Sequence, residues 1–134
     1  MKYFSVIFLL SFTTCQVLYS QVHKTIDEAI DLINKNKYDE AIEILETNGK
    51  ENDILIAIAY LGKKDFKTAK AFALQYWFNN ENDVLANYVL ALISEELKEY
   101  NLALMYWSAV LKNAKVPVLK QLAKKHIEVL NKLK

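Results

Sequence analysis

The chain contains no arginine: all 17 of its basic residues are Lys. Recognition that depends on a planar, bidentate cation, as many phosphate and carboxylate clamps do, has no residue to supply it. Glycine and proline are nearly as scarce, two and one in 134 residues. So few turn-formers exclude a hairpin-rich β protein and fit helices joined by short turns. The same scarcity leaves no glycine-rich phosphate loop. The one cysteine, Cys15, has no second thiol with which to form a disulfide or a Cys-pair metal site.

Candidate chemistry is equally thin. The two histidines, His23 and His126, have no partners at metal-ligand spacing, and His126 falls on an apolar helical stripe where a packed or boundary role is expected. The carboxylate pairs Asp27/Asp31 and Glu95/Glu99 lie on acidic helix faces and read as solvated, not as acid–base pairs. No Ser, His and Asp fall on segments expected to meet. No catalytic residue, cofactor or metal ligand is therefore assigned, and the chain reads as a binding protein, not an enzyme. Trp77 and Trp107 lie at core spacing in an acidic-to-neutral stretch, which argues against stacking on nucleic acid.

What is present begins with a leader. Lys2, the run Val6-Ile7-Phe8-Leu9-Leu10 and small Ser20 have the charged, apolar, small-residue order of a secretory signal, so residues 1–21 are expected to be removed and residues 22–134 to form one domain. The product is then periplasmic or secreted, and loss of Cys15 leaves a thiol-free chain suited to an oxidising compartment. Two alternatives attach it to a membrane. A retained leader is one, although Ser11, Thr13, Thr14 and Gln16 cut the apolar run below the ~20 residues a span needs. Lipidation at Cys15 is the other, although Phe12-Thr13-Thr14 is a poor lipobox. Charge is polarised along the chain: residues 22–99 carry nine Lys and fifteen acids, net −6, and residues 100–134 carry seven Lys and one acid, net +6. Such polarity suits an oriented encounter or head-to-tail self-association, or is simply a solvated basic face.

The rest is periodic. Ile26, Ala29, Ile30 and Ile33 recur at helical spacing and predict a helix over about Lys24–Asn36; Tyr38, Ala41, Ile42 and Leu45 predict a second, stopping before Asn48-Gly49. A third, Asp53 to about Leu61, is apolar almost all round and so expected to be buried on several sides. Gly62 ends it, Asp65 is placed to cap a fourth beginning at Phe66, and Asn79, Asn80 and Asn82 mark a turn. A fifth runs from Asp83 to about Lys98 and a sixth from Tyr100 to Leu111. Pro117 opens a last helix to about Lys132, with Leu119, Leu122, Val129, Leu130 and Leu133 predicted on one side and Lys120, Lys124 and Lys125 away from it. Phe66 and Tyr100 stand 34 residues apart, each followed three later by Ala69 and Ala103 and preceded nine earlier by Ala57 and Ala91. Tyr38 and Ala41 begin the series, but Tyr38 to Phe66 is 28, six short, which predicts a shortened second helix or turn.

These residues resemble the tetratricopeptide repeat family over about Thr25–Leu111. The small residue of each first helix (Ala29, Ala57, Ala91), the aromatic opening each second helix (Tyr38, Phe66, Tyr100) and the Ala after it (Ala41, Ala69, Ala103) carry the likeness. Departures are Leu32 and Ser94 where Tyr60 has the family's aromatic, Glu28 where a large apolar residue is usual, and Asn36, Lys64 and Lys98 where the family has Gly. The resemblance implies an all-α fold: antiparallel helix pairs, at about 24–48, 52–80 and 82–115, stacked as a short right-handed superhelix, with a capping helix over 117–133. It also implies a concave groove, lined by the first helices, that holds a peptide or partner helix. Here that groove offers Ile26, Ile30 and Ile33, then Ile54, Ile58 and Leu61, then Tyr88 and Leu92. An apolar lining disfavours clamping of a C-terminal carboxylate. Two function classes remain: an exported adaptor or scaffold with a protein or peptide partner, or a structural subunit of a homo-oligomer or larger envelope assembly.

Overall fold

The structure, a computed structural model, describes residues 25–47 and 52–133. The expected leader with Cys15, His23, the expected helix start at Lys24 and the expected Asn48-Gly49 stop lie outside the described residues. Among those described there are helices and no strand: α1, whose described part is residues 25–34, α2 (Tyr38–Glu46), α3 (Asp53–Gly62), α4 (Phe66–Trp77), α5 (Val84–Glu96), α6 (Tyr100–Asn113) and α7 (Pro117–Lys132). None is long and apolar enough to cross a membrane. Each helix from α2 on packs on the next, and α3 also meets α5. The fold is thus an all-α stack of helix pairs running in chain order.

Three turns reverse the chain identically. Asn36, Lys64 and Lys98 adopt left-handed φ of 60°, 63° and 59°. The next amide in each turn reaches back five residues: Lys37 to the Leu32 carbonyl (2.8 Å), Asp65 to Tyr60 (3.0 Å) and Glu99 to Ser94 (2.8 Å). This satisfies the orphan carbonyls at the helix end as a Schellman turn does, with Asn or Lys in the place usually taken by Gly. The turns set the register at offsets of 28 and 34, and in that register Ala29, Ala57 and Ala91, like Ala41, Ala69 and Ala103, are all fully buried. Small side chains there let paired backbones approach.

The six-residue deficit of the first spacing is divided equally. α2 has nine residues where α4 has twelve, and α3 has ten where α5 has thirteen. One turn is missing from each of the two ends that face the α2–α3 connection. Asn52 closes this shortened junction: it is buried and donates Nδ2 to the Leu45 carbonyl at 3.4 Å. At the longer α4–α5 junction, buried Asn87 donates to the carbonyls of Glu81 (2.8 Å) and Asp83 (2.7 Å) and accepts from the Trp77 indole (3.2 Å). Asp65 and Asp83 cap α4 and α5, accepting from the amides of Thr68 (3.2 Å) and Ala86 (2.8 Å).

Gly62 does not make the turn, which falls at Lys64. It is needed for a close approach, because a Cβ there would lie 2.4 Å from the Tyr38 ring of α2.

The last helix rotates relative to the face read from its leucines. Ala123 and Leu130 are buried and Leu119, Leu122 and Ile127 pack against the core, but Val129 and Leu133 are each 56% exposed. At 100° per residue the buried face centres near Ala123, His126 and Leu130, leaving Val129 on its flank, and Leu133 lies just past the helix end. Lys120, Lys124 and Lys125 point away from the core, as their spacing predicts.

Candidate functional site

In the common register the eight groove candidates fall in three rows: Ile26, Ile54 and Tyr88; Ile30, Ile58 and Leu92; Ile33 and Leu61, with Glu95 completing the third. The first row is largely closed. Ile54, 7% exposed, belongs to the main core. It lies in the first turn of α3, beside the shortened junction, and α3 has α2, α4 and α5 packed around it. Tyr88 is half-buried and meets Trp107 edge-on, with centroids 5.5 Å apart. Ile54 therefore serves the fold, and Tyr88 is committed on one side to α6. Ile26 is half-buried.

The other two rows stay part-open. Ile30 is 40% exposed, and Ile33, Ile58, Leu61 and Leu92 are half-buried, with Ile58, Leu61 and Leu92 resting on the main core. One side of each of these chains is held while another faces out. The arrangement gives a short apolar strip across the first helices of three successive pairs, able to bury further apolar area but with no group placed for bond-making chemistry.

Polar chemistry is concentrated where the strip ends. Glu95 Oε1 accepts from the Trp107 indole and lies 2.7 Å from His126 Nδ1, while the His126 ring stacks on Trp107 at 4.2 Å between centroids. The carboxylate thus answers the one polar atom of a fully buried tryptophan and ties α5 to α7. Beside it, Glu95, Glu96, Lys98, Tyr100, His126, Val129, Leu130 and Leu133 line a hollow of about 330 Å³. The expectation of a solvated Glu95/Glu99 pair fails at both residues, since Glu99 is ion-paired with Lys70 of α4. His126 is the packed boundary residue its stripe position predicts, and its partner Glu95, 31 residues away, carried no local signal.

Other charges support the scaffold. Lys63 pairs with Asp39 across α2 and α3, and the bond raises its pKa. Hydrogen bonding to Thr68 lowers the Asp65 pKa, so the cap contribution is complete above the ordinary carboxylate range and is lost as pH falls through the depressed value. Burial raises the pKa of Tyr106 and Tyr76, keeping both phenols neutral at physiological pH. Among the described residues no cluster of His, Cys, Asp or Glu could hold a metal ion.

No model of a known protein family matches the chain, and no curated protein matches it. Sequence periodicity missed several exposed apolar groups: Phe78, 76% exposed, with Leu85, Val116 and Val118. All four lie where second helices hand over to first ones.

Proposed function

We propose that the chain is an exported, tetratricopeptide-like interaction module, an adaptor or scaffold that holds a partner helix or peptide along Ile30, Ile33, Ile58, Leu61 and Leu92. The observation carrying this reading is the part-open apolar strip repeated in register on three successive first helices. A strip of this kind suits a helix-in-groove partner whose apolar residues recur at three- and four-residue steps. Each half-buried Ile or Leu that becomes covered contributes about 1 kcal/mol, enough for modest affinity over five side chains once ordering costs are met. The tetratricopeptide likeness is supported by the three left-handed turns and the two buried alanine series. Export is supported by the order of residues in the leader.

Photo-crosslinking in the native host tests the binding face. A photoreactive side chain at position 58 is expected to give a discrete adduct that Leu92→Glu abolishes, whereas the same group at exposed Lys67 gives none. Adducts indistinguishable between the two positions would overturn the assignment.

A further inference from the structure

The common register also identifies the surface through which one pair receives the pair before it. In α3 that surface is Leu55, Ile56 and Ala59; Ile56 shares a buried cluster with Ala29 and Leu45 of the first pair, and Leu55 packs against it. The equivalent residues of α5, Val89, Leu90 and Ile93, are buried. In α1 the same three positions are Asp27, Glu28 and Asp31, all exposed. Lys35, in the turn just past α1, pairs with Asp31 at 2.6 Å, and Asp27 and Glu28 have no ion pair with a described residue. A face that is apolar inside the stack is acidic at its beginning.

The other end is its opposite. α7 turns Leu119, Ala123 and Leu130 inward and carries Lys120 exposed on its flank and Lys124, Lys125 and Lys132 exposed on the far side, with Glu128 the one acid in the helix. None of these lysines is ion-paired with a described residue. Val118 and Val129 flank them, exposed. Lys120 and Lys124 repeat at four residues, as do Asp27 and Asp31, so both faces present charges about 6 Å apart along a helix. Because helices pack in chain order, these are the two ends of one stack.

We propose that copies of this chain associate head to tail, the lysine face of α7 in one copy against the Asp27/Glu28/Asp31 face of α1 in the next. The occupant of each end is a second copy because the complementary surface, with matching sign and spacing, is on the same molecule. Such a contact joins two different surfaces and does not close on itself, so it extends the stack. Exposed ion pairs are individually weak, which makes the association low in affinity and sensitive to salt. It is independent of what the apolar strip binds.

Sedimentation velocity on the protein as its native host accumulates it provides the test, with charge reversals on exposed residues. The wild-type chain at millimolar concentration is expected to form concentration-dependent species larger than a monomer at about 0.02 M salt and to weaken about tenfold or more at about 0.3 M. Asp27→Lys with Glu28→Lys and Asp31→Lys, or Lys120→Glu with Lys124→Glu and Lys125→Glu, is each expected to leave a monomer. Combining both sets in one chain is expected to restore association. If a reversed set fails to fold by circular dichroism, the neutral Asn/Gln set replaces it, with the same loss expected. A monomeric wild type at low salt, undiminished association in a single set, or no restoration overturns the proposal. Vesicles of phosphatidylglycerol form a separate arm: uptake of a wild type that stays monomeric assigns the lysine face to anionic lipid and also overturns it.

Discussion

The second pair, α3 and α4, and the third, α5 and α6, share turn, alanines and register, yet they fill their interiors in opposite ways. In the second, the first helix carries the bulk, Tyr60, and the second helix carries Ala73; in the third, the first helix has Ser94 and the second has Trp107. The corresponding residues of the first pair are Leu32 and Leu45. Tyr60 spreads its ring over Phe72, with centroids 5.7 Å apart and planes within 8°. Trp107 is fully buried, and α7 supplies its lid through His126. Packing that conserves summed volume across facing helices accepts either arrangement. The third pair accordingly depends more on its neighbour α7 than the second pair does.

The sharpest way to break the comparison is at its large residues. Trp107→Ala is expected to cost about 3–5 kcal/mol, since it empties a fully buried site and strands Glu95, while Tyr60→Ala, at a half-buried site, should cost about 1.5–3. Urea denaturation of the two variants checks the order. Moving the bulk tests the exchange itself: Ala73→Trp alone should overpack the second pair by about 1–3 kcal/mol, and adding Tyr60→Ser should recover part of that loss. A double-mutant cycle with no coupling would show that the two positions do not share space.

Exchange leaves a residue at Ser94, whose buried Oγ has no hydrogen-bond partner among the described residues. Ser94→Ala is expected to stabilise by up to about 1 kcal/mol in the same assay, because it removes a desolvated hydroxyl at almost no change in volume. The shared turns predict the smallest effect and the most even one. Lys64→Gly and Lys98→Gly should each stabilise by about 0.5–1 kcal/mol, relieving a left-handed conformation that Lys tolerates poorly. Unequal signs for the two would mean that the turns are not equivalent.

Much of this was legible in the chain. The aromatic and alanine spacings marked all three pairs, whereas Asn36, Lys64 and Lys98 stood in the sequence only as departures from the family's Gly, and their left-handed turns emerged with the structure. The shortened junction was legible as a count of six, though not as one turn lost from each side of it. Three things were not. In α3 every position from Ile54 to Leu61 is apolar, so periodicity could not separate core Ile54 from part-open Ile58; the shortened junction decides it. In α7 the buried face centres on Ala123 and His126, which a search for leucines passes over. Glu95 and His126 meet only because α7 folds back over α6, a tertiary fact without local trace.

Whether one face of α3 folds the chain while the neighbouring face binds is tested most directly by paired substitutions one residue apart. Ala57 is fully buried, and Ile58 is half-buried on the open strip. Ala57→Glu should abolish cooperative unfolding, because an unpaired buried charge costs a large part of a total stability of about 5–15 kcal/mol. Ile58→Glu should keep helicity and a cooperative melt near that of the wild type while losing the adduct formed by a photoreactive group at position 92. A melt for Ile58→Glu as damaged as that for Ala57→Glu would place Ile58 in the core and remove the binding face from α3.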